Sequence, residues 1–211
     1  MKRTISVAAL TIVCAMLSLS PARVASAGLF DGGLLFGSNC PTGGTKVFAR
    51  WNDDHNYYLG PNGGFENGST GWSLNGASVG WGNQPFMASG THSLSLASGS
   101  KVTSPVICLG PDNIAIRMFG SDARGTDSGL RVRVIWYGLL NVVLGITDFN
   151  TFDPGNGWAP TDTVNSTGGG NVIIPLLGST SARVEMTPLG SGSQWRIDDF
   201  YVDPLASRCC D

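Results

Sequence analysis

The sequence predicts an all-β chain folded as an antiparallel two-sheet β-sandwich, most simply a jelly roll. Three observations predict it. Charged residues make up only 13% of the chain, against roughly 25% in an ordinary soluble domain, so material for long polar-faced helices is scarce. Glycine occurs 30 times, enough to place a turn after every short run. Apolar residues in those runs recur with period two, and no window keeps helical spacing between caps.

The elements follow in order. Lys2 and Arg3 precede an apolar run over 7–17, too short to cross a bilayer, and Ala25-Ser26-Ala27 closes it with an A-x-A cleavage signal. Residues 1–27 therefore read as a secretory signal peptide cut after Ala27, which makes the protein secreted and extracellular. Cleavage leaves about 184 of the 211 residues, suited to one domain with a sizeable core. Losing Lys2, Arg3 and Arg23 moves the net charge from −2 to about −5. A nucleic-acid partner needs a basic footprint and is disfavoured. No later apolar run is long enough to span a membrane.

Residues 28–59 read as a leader and an edge strand. "GLFDGGLLFGSNC" is apolar and glycine-rich, and "KVFARW" (46–51) alternates. Residues 60–204 form the sandwich, and 205–211 a cysteine-containing tail. Within the sandwich, "HSLSL" (92–96), "KVTSPVIC" (101–108), "NIAIRMF" (113–119), "LRVRVIWY" (130–137), "NVVLGIT" (141–147), "NVIIPL" (171–176), "ARVEM" (182–186) and "QWRIDDFYV" (194–202) read as strands. Turn clusters at 120–129, 153–157 and 166–170 separate them. Eight short strands in this length argue for two antiparallel sheets.

Cys40, Cys108, Cys209 and Cys210 survive cleavage. In an oxidising compartment Cys40–Cys108 is the natural pair, and closing that long loop stabilises by roughly 4 kcal/mol. Cys209 and Cys210 are adjacent, and a bond between neighbours is strained. They pair elsewhere, between molecules, or with Cys40 or Cys108. No metal-site spacing joins the cysteines.

Period two also assigns faces. Val132, Val134 and Trp136 share one side of their strand, and Arg131, Arg133, Ile135 and Tyr137 the other. Ile114, Ile116 and Met118 point one way, leaving Ala115, Arg117 and Phe119 opposite. Ala182, Val184 and Met186 face the core, leaving Arg183 and Glu185 outward. If the strands are neighbours, Arg117, Arg131, Arg133, Tyr137, Arg183 and Glu185 form one outward surface. Such a surface is either a binding face or a solvated one whose arginines pair with nearby acids.

"NGGFENGSTGWSLNGASV" resembles the N-terminal signature of carbohydrate-binding modules with the galactose-binding-like jelly-roll fold. "SGTHSLSLASGSKVTSPVICLG" looks like that family's strand pair carrying Ser-Leu and Ser-Pro. "WRIDDFYVDP" is similar to its closing strand with an Asp-Asp pair. The three pieces occur in the family's order across residues 61–204. With its "GNQPF" and "TSPVICLG", the wider chain looks closer still to uncharacterised secreted bacterial proteins of this fold, a match that implies no activity. The resemblance implies a structural calcium held by Glu66 and Asp198, an all-oxygen chemistry that calcium accepts. The bland reading makes them surface carboxylates capping turns. It also implies glycan binding on the concave sheet, with rings stacking on sugars while Arg and Glu reach hydroxyls.

Catalysis finds little support. His55 follows "NDD" in a loop, and His92 precedes a strand. Neither G-x-S-x-G nor H-E-x-x-H occurs, and nothing singles out a carboxylate pair for glycoside hydrolysis. The expectation is no enzyme and no catalytic residue. Two readings follow: a non-catalytic module binding a glycan or cell-wall polymer, and a structural or surface-associated sandwich without a ligand. A binder should expose rings, and Trp81 ("VGWGNQPF") and Trp158 ("GNGWAP") are the best candidates. Either ring could equally pin its loop.

Overall fold

The computed structural model describes residues 44–87, 90–108, 114–123, 129–151, 157–165 and 181–203. The expected signal peptide and leader, Cys40, the strand expected at 171–176 and the tail with Cys209 and Cys210 lie outside the described residues. The strands are β1 (Tyr58–Leu59), β2 (Ser73–Trp81), β3 (His92–Thr103), β4 (Ile107–Cys108), β5 (Ala115–Asp122), β6 (Leu130–Tyr137), β7 (Val143–Thr151), β8 (Ala159–Pro160), β9 (Val164–Asn165), β10 (Ser181–Pro188) and β11 (Gln194–Asp203).

Every pairing among them is antiparallel. The order is β7-β6-β10-β3-β11-β5-β8, with β2 against β3, β1 against β11, β4 against β10 and β9 against β5. This continuous sheet curls into two layers because β2 and β3 serve both. Residues 73–75 oppose 101–103, 77–81 oppose 92–96, and the register slips between them. Gly76 and Gly99 sit at φ 71° and 82°, a region open to glycine at little cost. The strand pair bends there, so one half of β3 joins β11 and the other joins β10. Two strands expected at 92–96 and 101–108 are therefore one long bent strand and the short β4.

The core lies between the layers. Leu94, Leu96 and Val102 of β3, Ile116 and Met118 of β5, Leu130, Val132 and Val134 of β6, Ala182, Val184 and Met186 of β10, and Trp195 and Ile197 of β11 are all buried in it. The period-two assignments of β5, β6 and β10 thus hold for side. Trp136, at the end of its row, is only half-buried, and its indole donates to Thr147 Oγ1 (3.0 Å).

The asparagine–glycine turn before β2 is built around two groups. Asn62 takes φ 48°, and its side-chain amide donates to the carbonyls of Gly68 (2.9 Å) and Thr70 (3.0 Å). Gly63 is required by close approach rather than by an unusual backbone angle. Its φ is not left-handed, but a Cβ there would lie 2.6 Å from the Phe200 carbonyl oxygen. Gly63 and Phe200 exchange backbone contact through Phe200 N–H donating to Gly63 O (3.0 Å). The left-handed residue is Phe65 itself, at φ 57°.

Residues 46–51 depart from the edge strand expected for "KVFARW". Ala49–Trp51 is a turn of 3-10 helix, and only Thr45 bridges to Tyr57. The segment drops Phe48, fully buried, onto the outer side of β5 and β11. Phe48 there meets Phe119 at 5.3 Å and Tyr201 at 5.5 Å between ring centres. A second apolar cluster of Phe48, Tyr57, Ala115 and Phe119 results.

Candidate functional site

The outward face of β6, β10 and the second half of β3 is one surface. Register places Arg133 opposite both Glu185 and Asp148, Arg131 opposite Thr187, and Arg183 opposite Ile135. Glu185 lies opposite Thr103 on β3. Arg131, Arg133, Glu185, Thr187 and Lys101 line a cavity of about 230 Å³. Arg131, Arg133, Tyr137, Arg183 and Glu185 are all half-buried side chains on this face.

Much of its charge is internally paired. Arg133 grips Asp148 with two hydrogen bonds, Nε to Oδ1 at 2.7 Å and a terminal nitrogen to Oδ2 at 3.0 Å. That contact pulls the Asp148 carboxyl below its ordinary value and raises the guanidinium. Lys101 meets Glu185 at 2.8 Å, and Arg183 reaches the Ser104 carbonyl at 3.3 Å. Arg131 enters no ion pair among the described residues. Lys101, Thr187 and Asp148 were not among the expected site residues: Asp148 and Thr187 lie just past the strands expected at 141–147 and 182–186, and Lys101 joins the face only through the register of β3.

Arg117 is not part of this surface. Its parity is as expected, but β11 and β3 separate β5 from β10, and the outer side of β5 is covered. Only 8% of Arg117 is exposed. Its Nη1 donates to Asp53 Oδ2 at 2.7 Å, its Nε to the Thr161 carbonyl at 2.8 Å, and its guanidinium lies 4.7 Å above the Phe48 ring. Asp53 also accepts from Tyr57 Oη (2.9 Å) and Thr163 Oγ1 (3.0 Å), and its Oδ1 contacts the His55 ring (2.6 Å). Burial pushes the Asp53 carboxyl up, but hydrogen bonds from His55, Tyr57 and Arg117 outweigh it and hold the group at about 2. The cover comes from loops on either side of the expected strand, which strand periodicity does not see.

Glu66 and Asp198 stand at one end of the sandwich. Glu66 Oε1 accepts the backbone N–H groups of Thr91 and His92, both at 2.8 Å. Its Oε2 lies 3.2 Å from both Thr91 Oγ1 and His92 Nδ1. Slight burial raises the carboxyl, the hydrogen bonds lower it further, and it stands at about 2. Asp198 is fully buried and accepts from Gln84 N (3.1 Å) and Asp199 N (2.8 Å). Gln84 also donates its side-chain amide to Asp199 Oδ2 at 2.8 Å. Burial first, then the neighbouring carboxylates, push Asp198 up to about 7 and Asp199 to about 6.

Among the described residues no three His, Cys, Asp or Glu side chains gather as a metal-binding group. The oxygens nevertheless fit a hard cation in kind. Glu66 Oε1 and Asn83 Oδ1 lie 2.9 and 3.2 Å from the point that a Cβ on Gly90 would occupy. Glu66 acts electrostatically on both aspartates. Two carboxylates and an amide oxygen are of the kinds that calcium accepts.

Of the two rings expected to be exposed, Trp81 is 79% exposed at the end of β2. Trp158 is half-buried, packed with the second cluster, and the Arg196 guanidinium lies 5.4 Å from its ring. Both histidines contact carboxylates, His55 with Asp53 and His92 with Glu66.

No protein-family model matches this sequence, and no curated protein matches it. Among solved structures, the enzymatically active domain of tailspike protein 4 from Bacteriophage CBA120 is similar, with a TM-score of 0.51 and 11% identity over 67% of this chain. This chain spans only 20% of that domain's length. A family 61 carbohydrate-binding module in complex with β-1,4-galactotriose gives a TM-score of 0.48 and 16% identity, covering 67% of this chain and 94% of the module. A xylan-binding domain of family 22 from Paenibacillus barcinonensis gives 0.46 and 12%, covering 70% and 91%. At such identities the likeness is one of fold.

Proposed function

We propose that the chain is a secreted, non-catalytic module that binds a glycan or cell-wall polysaccharide on the outward face of β6, β10 and β3. The observation that carries the reading is the cavity between Lys101, Arg131, Arg133, Glu185 and Thr187. Three cations face one carboxylate inside it. Among the described residues Arg131 enters no ion pair, and a guanidinium fork pairs with a carboxylate through two parallel hydrogen bonds. Sugars bearing carboxylate or phosphate groups suit this face better than neutral cellulose. Tyr137 adds a ring at its edge, opposite Ser181 and Val143.

Polygalacturonate immobilised in a native gel tests the reading. The mature protein should be retarded, and Arg131→Ala with Arg133→Ala should lose at least ten-fold in apparent affinity. The melting temperature should stay nearly constant, since half-exposed ion pairs contribute little. Retardation should also weaken with salt. Equal migration of variant and parent would instead favour the structural, surface-associated reading, in which Arg133–Asp148 and Lys101–Glu185 are a self-paired solvated surface.

The same proposal includes a structural calcium at Glu66 and Asp198 and a Cys40–Cys108 disulfide. Calcium at about 100 times its dissociation constant should stabilise the fold by about 2.7 kcal/mol. Melting in calcium and in chelator reads this, and Glu66→Ala should abolish the difference. An unchanged melting point, together with no bound metal in elemental analysis, removes the ion from the proposal.

A further inference from the structure

We infer that Trp81 and His92 form a second sugar-binding platform, separate from the arginine face, that stacks on the apolar face of a neutral sugar. The inference rests on the glycan reading of the chain but not on the arginine site. Lys101 of that site stands at the opposite end of β3 from His92.

An exposed indole is ordinary if it is loose. This one rests on a ring that is itself fixed, and its backbone is pinned. Register pairs Trp81 directly with His92 across β2 and β3. The two rings lie 4.9 Å apart with only 31° between their planes. The Trp81 carbonyl accepts from Arg196 Nη2 at 2.8 Å, and that guanidinium is anchored in turn on Ser93 Oγ at 2.6 Å. His92 is fixed beneath by Thr91 Oγ1 at 3.0 Å and Glu66 Oε2 at 3.2 Å. The indole therefore leans on a fixed imidazole while the residue stays 79% exposed. Large exposed apolar area that costs solvation yet is kept rigid is what an aromatic recognition surface requires, because little entropy is lost when a ligand seats.

The groups around the ring define the ligand. Thr91 offers a hydroxyl, Glu66 a carboxylate that is 43% exposed, and the His92 imidazole is 29% exposed. The Arg196 guanidinium beside the ring is committed to Trp81 O and Ser93 Oγ. Hydroxyl-matching groups beside a stacking face, with the adjoining guanidinium already engaged, suit a neutral pyranose. The two sites thus accept different sugars, or different residues of one mixed polymer, and a chain engaging both gains avidity.

Xylan, galactan, barley β-glucan and cellulose are the neutral probes, with polygalacturonate in parallel. The wild type should be retained on at least one neutral polymer. Trp81→Ala should lose at least ten-fold there while polygalacturonate retention stays unchanged, and Arg131→Ala/Arg133→Ala should show the reverse. Trp81→Phe should keep part of the binding. Tryptophan emission, taken as wild type minus Trp81→Phe, should shift to the blue at saturating polymer, a readout that a destabilised variant cannot imitate. Retention on none of the four neutral polymers, equal retention of Trp81→Ala, or no emission shift would each overturn the platform. Loss of polygalacturonate binding alone would strike only the arginine face.

Discussion

Replacing Arg117 with Ala should destabilise the fold by about 3–5 kcal/mol, the cost of leaving a buried charge without its partner. The guanidinium is held by Asp53 at 2.7 Å and by the Thr161 carbonyl at 2.8 Å. Without it, the Asp53 carboxylate keeps Tyr57, Thr163 and His55 but loses its buried cation. The Phe48 ring loses the guanidinium stacked 4.7 Å above it. Urea unfolding at pH 7 reads the loss. The double variant Asp53→Ala/Arg117→Ala should fall well short of the sum of the singles, because the second deletion removes a charge already stranded. Additive effects would mean the pair is not coupled.

The same network fixes an acid dependence. Asp53 stands at about 2 in the fold against an ordinary 3.8. A lowered carboxyl stabilises above its unfolded value and loses that stabilisation as pH falls toward its folded one. The shift is worth about 2–3 kcal/mol, present at pH 5 and largely gone near pH 2. In Arg117→Ala the carboxyl can protonate at higher pH. The penalty of the substitution should therefore shrink when measured at pH 4 rather than pH 7.

Arg117 also shows where sequence periodicity stops. Alternation placed it correctly opposite Ile116 and Met118, but alternation reports a side and not what covers it. The cover is built by Phe48, Asp53 and Tyr57 from a segment whose own pattern, "KVFARW", suggested a strand. Three of its six residues close a 3-10 turn instead, because burying the Phe48 ring against Phe119 and Tyr201 outweighs weak strand propensity. On β6 and β10, where no described loop intervenes, the same rule put Arg131, Arg133, Arg183 and Glu185 on one surface. The pairing of Arg133 with Asp148 needed the register of β7, which depends on the turn at 138–142. Glu66 and Asp198 were named by resemblance alone. Their companions Asn83, Gln84 and Asp199 come from a loop and a bulge that no period describes. The bend at Gly76 and Gly99 was legible as two glycines but not as one strand serving two layers, since that requires knowing both partners.

Phe65→Ala should cost about 3–5 kcal/mol, as large-to-small changes at fully buried aromatic sites do. The ring is completely buried, lies 5.0 Å from Trp72, and Trp72 in turn meets Phe200 edge-on at 5.5 Å. Losing the first ring leaves a void on which both others depend. Backbone geometry sharpens the prediction. At φ 57° a residue with a Cβ carries a penalty of roughly 1–2 kcal/mol, which glycine escapes. In most buried positions glycine is worse than alanine, since it deletes one more carbon and loosens the unfolded chain. Here the order should invert or vanish: Phe65→Gly should be no less stable than Phe65→Ala. If Phe65→Gly is the weaker of the two by 1 kcal/mol or more in urea unfolding, the left-handed backbone is not a constraint at this site. An inverted order means that burial of one ring holds its own backbone in a conformation its residue type disfavours. The glycines around it then serve close approach, as Gly63 does against the Phe200 carbonyl, and the turn is held by its aromatic side chain.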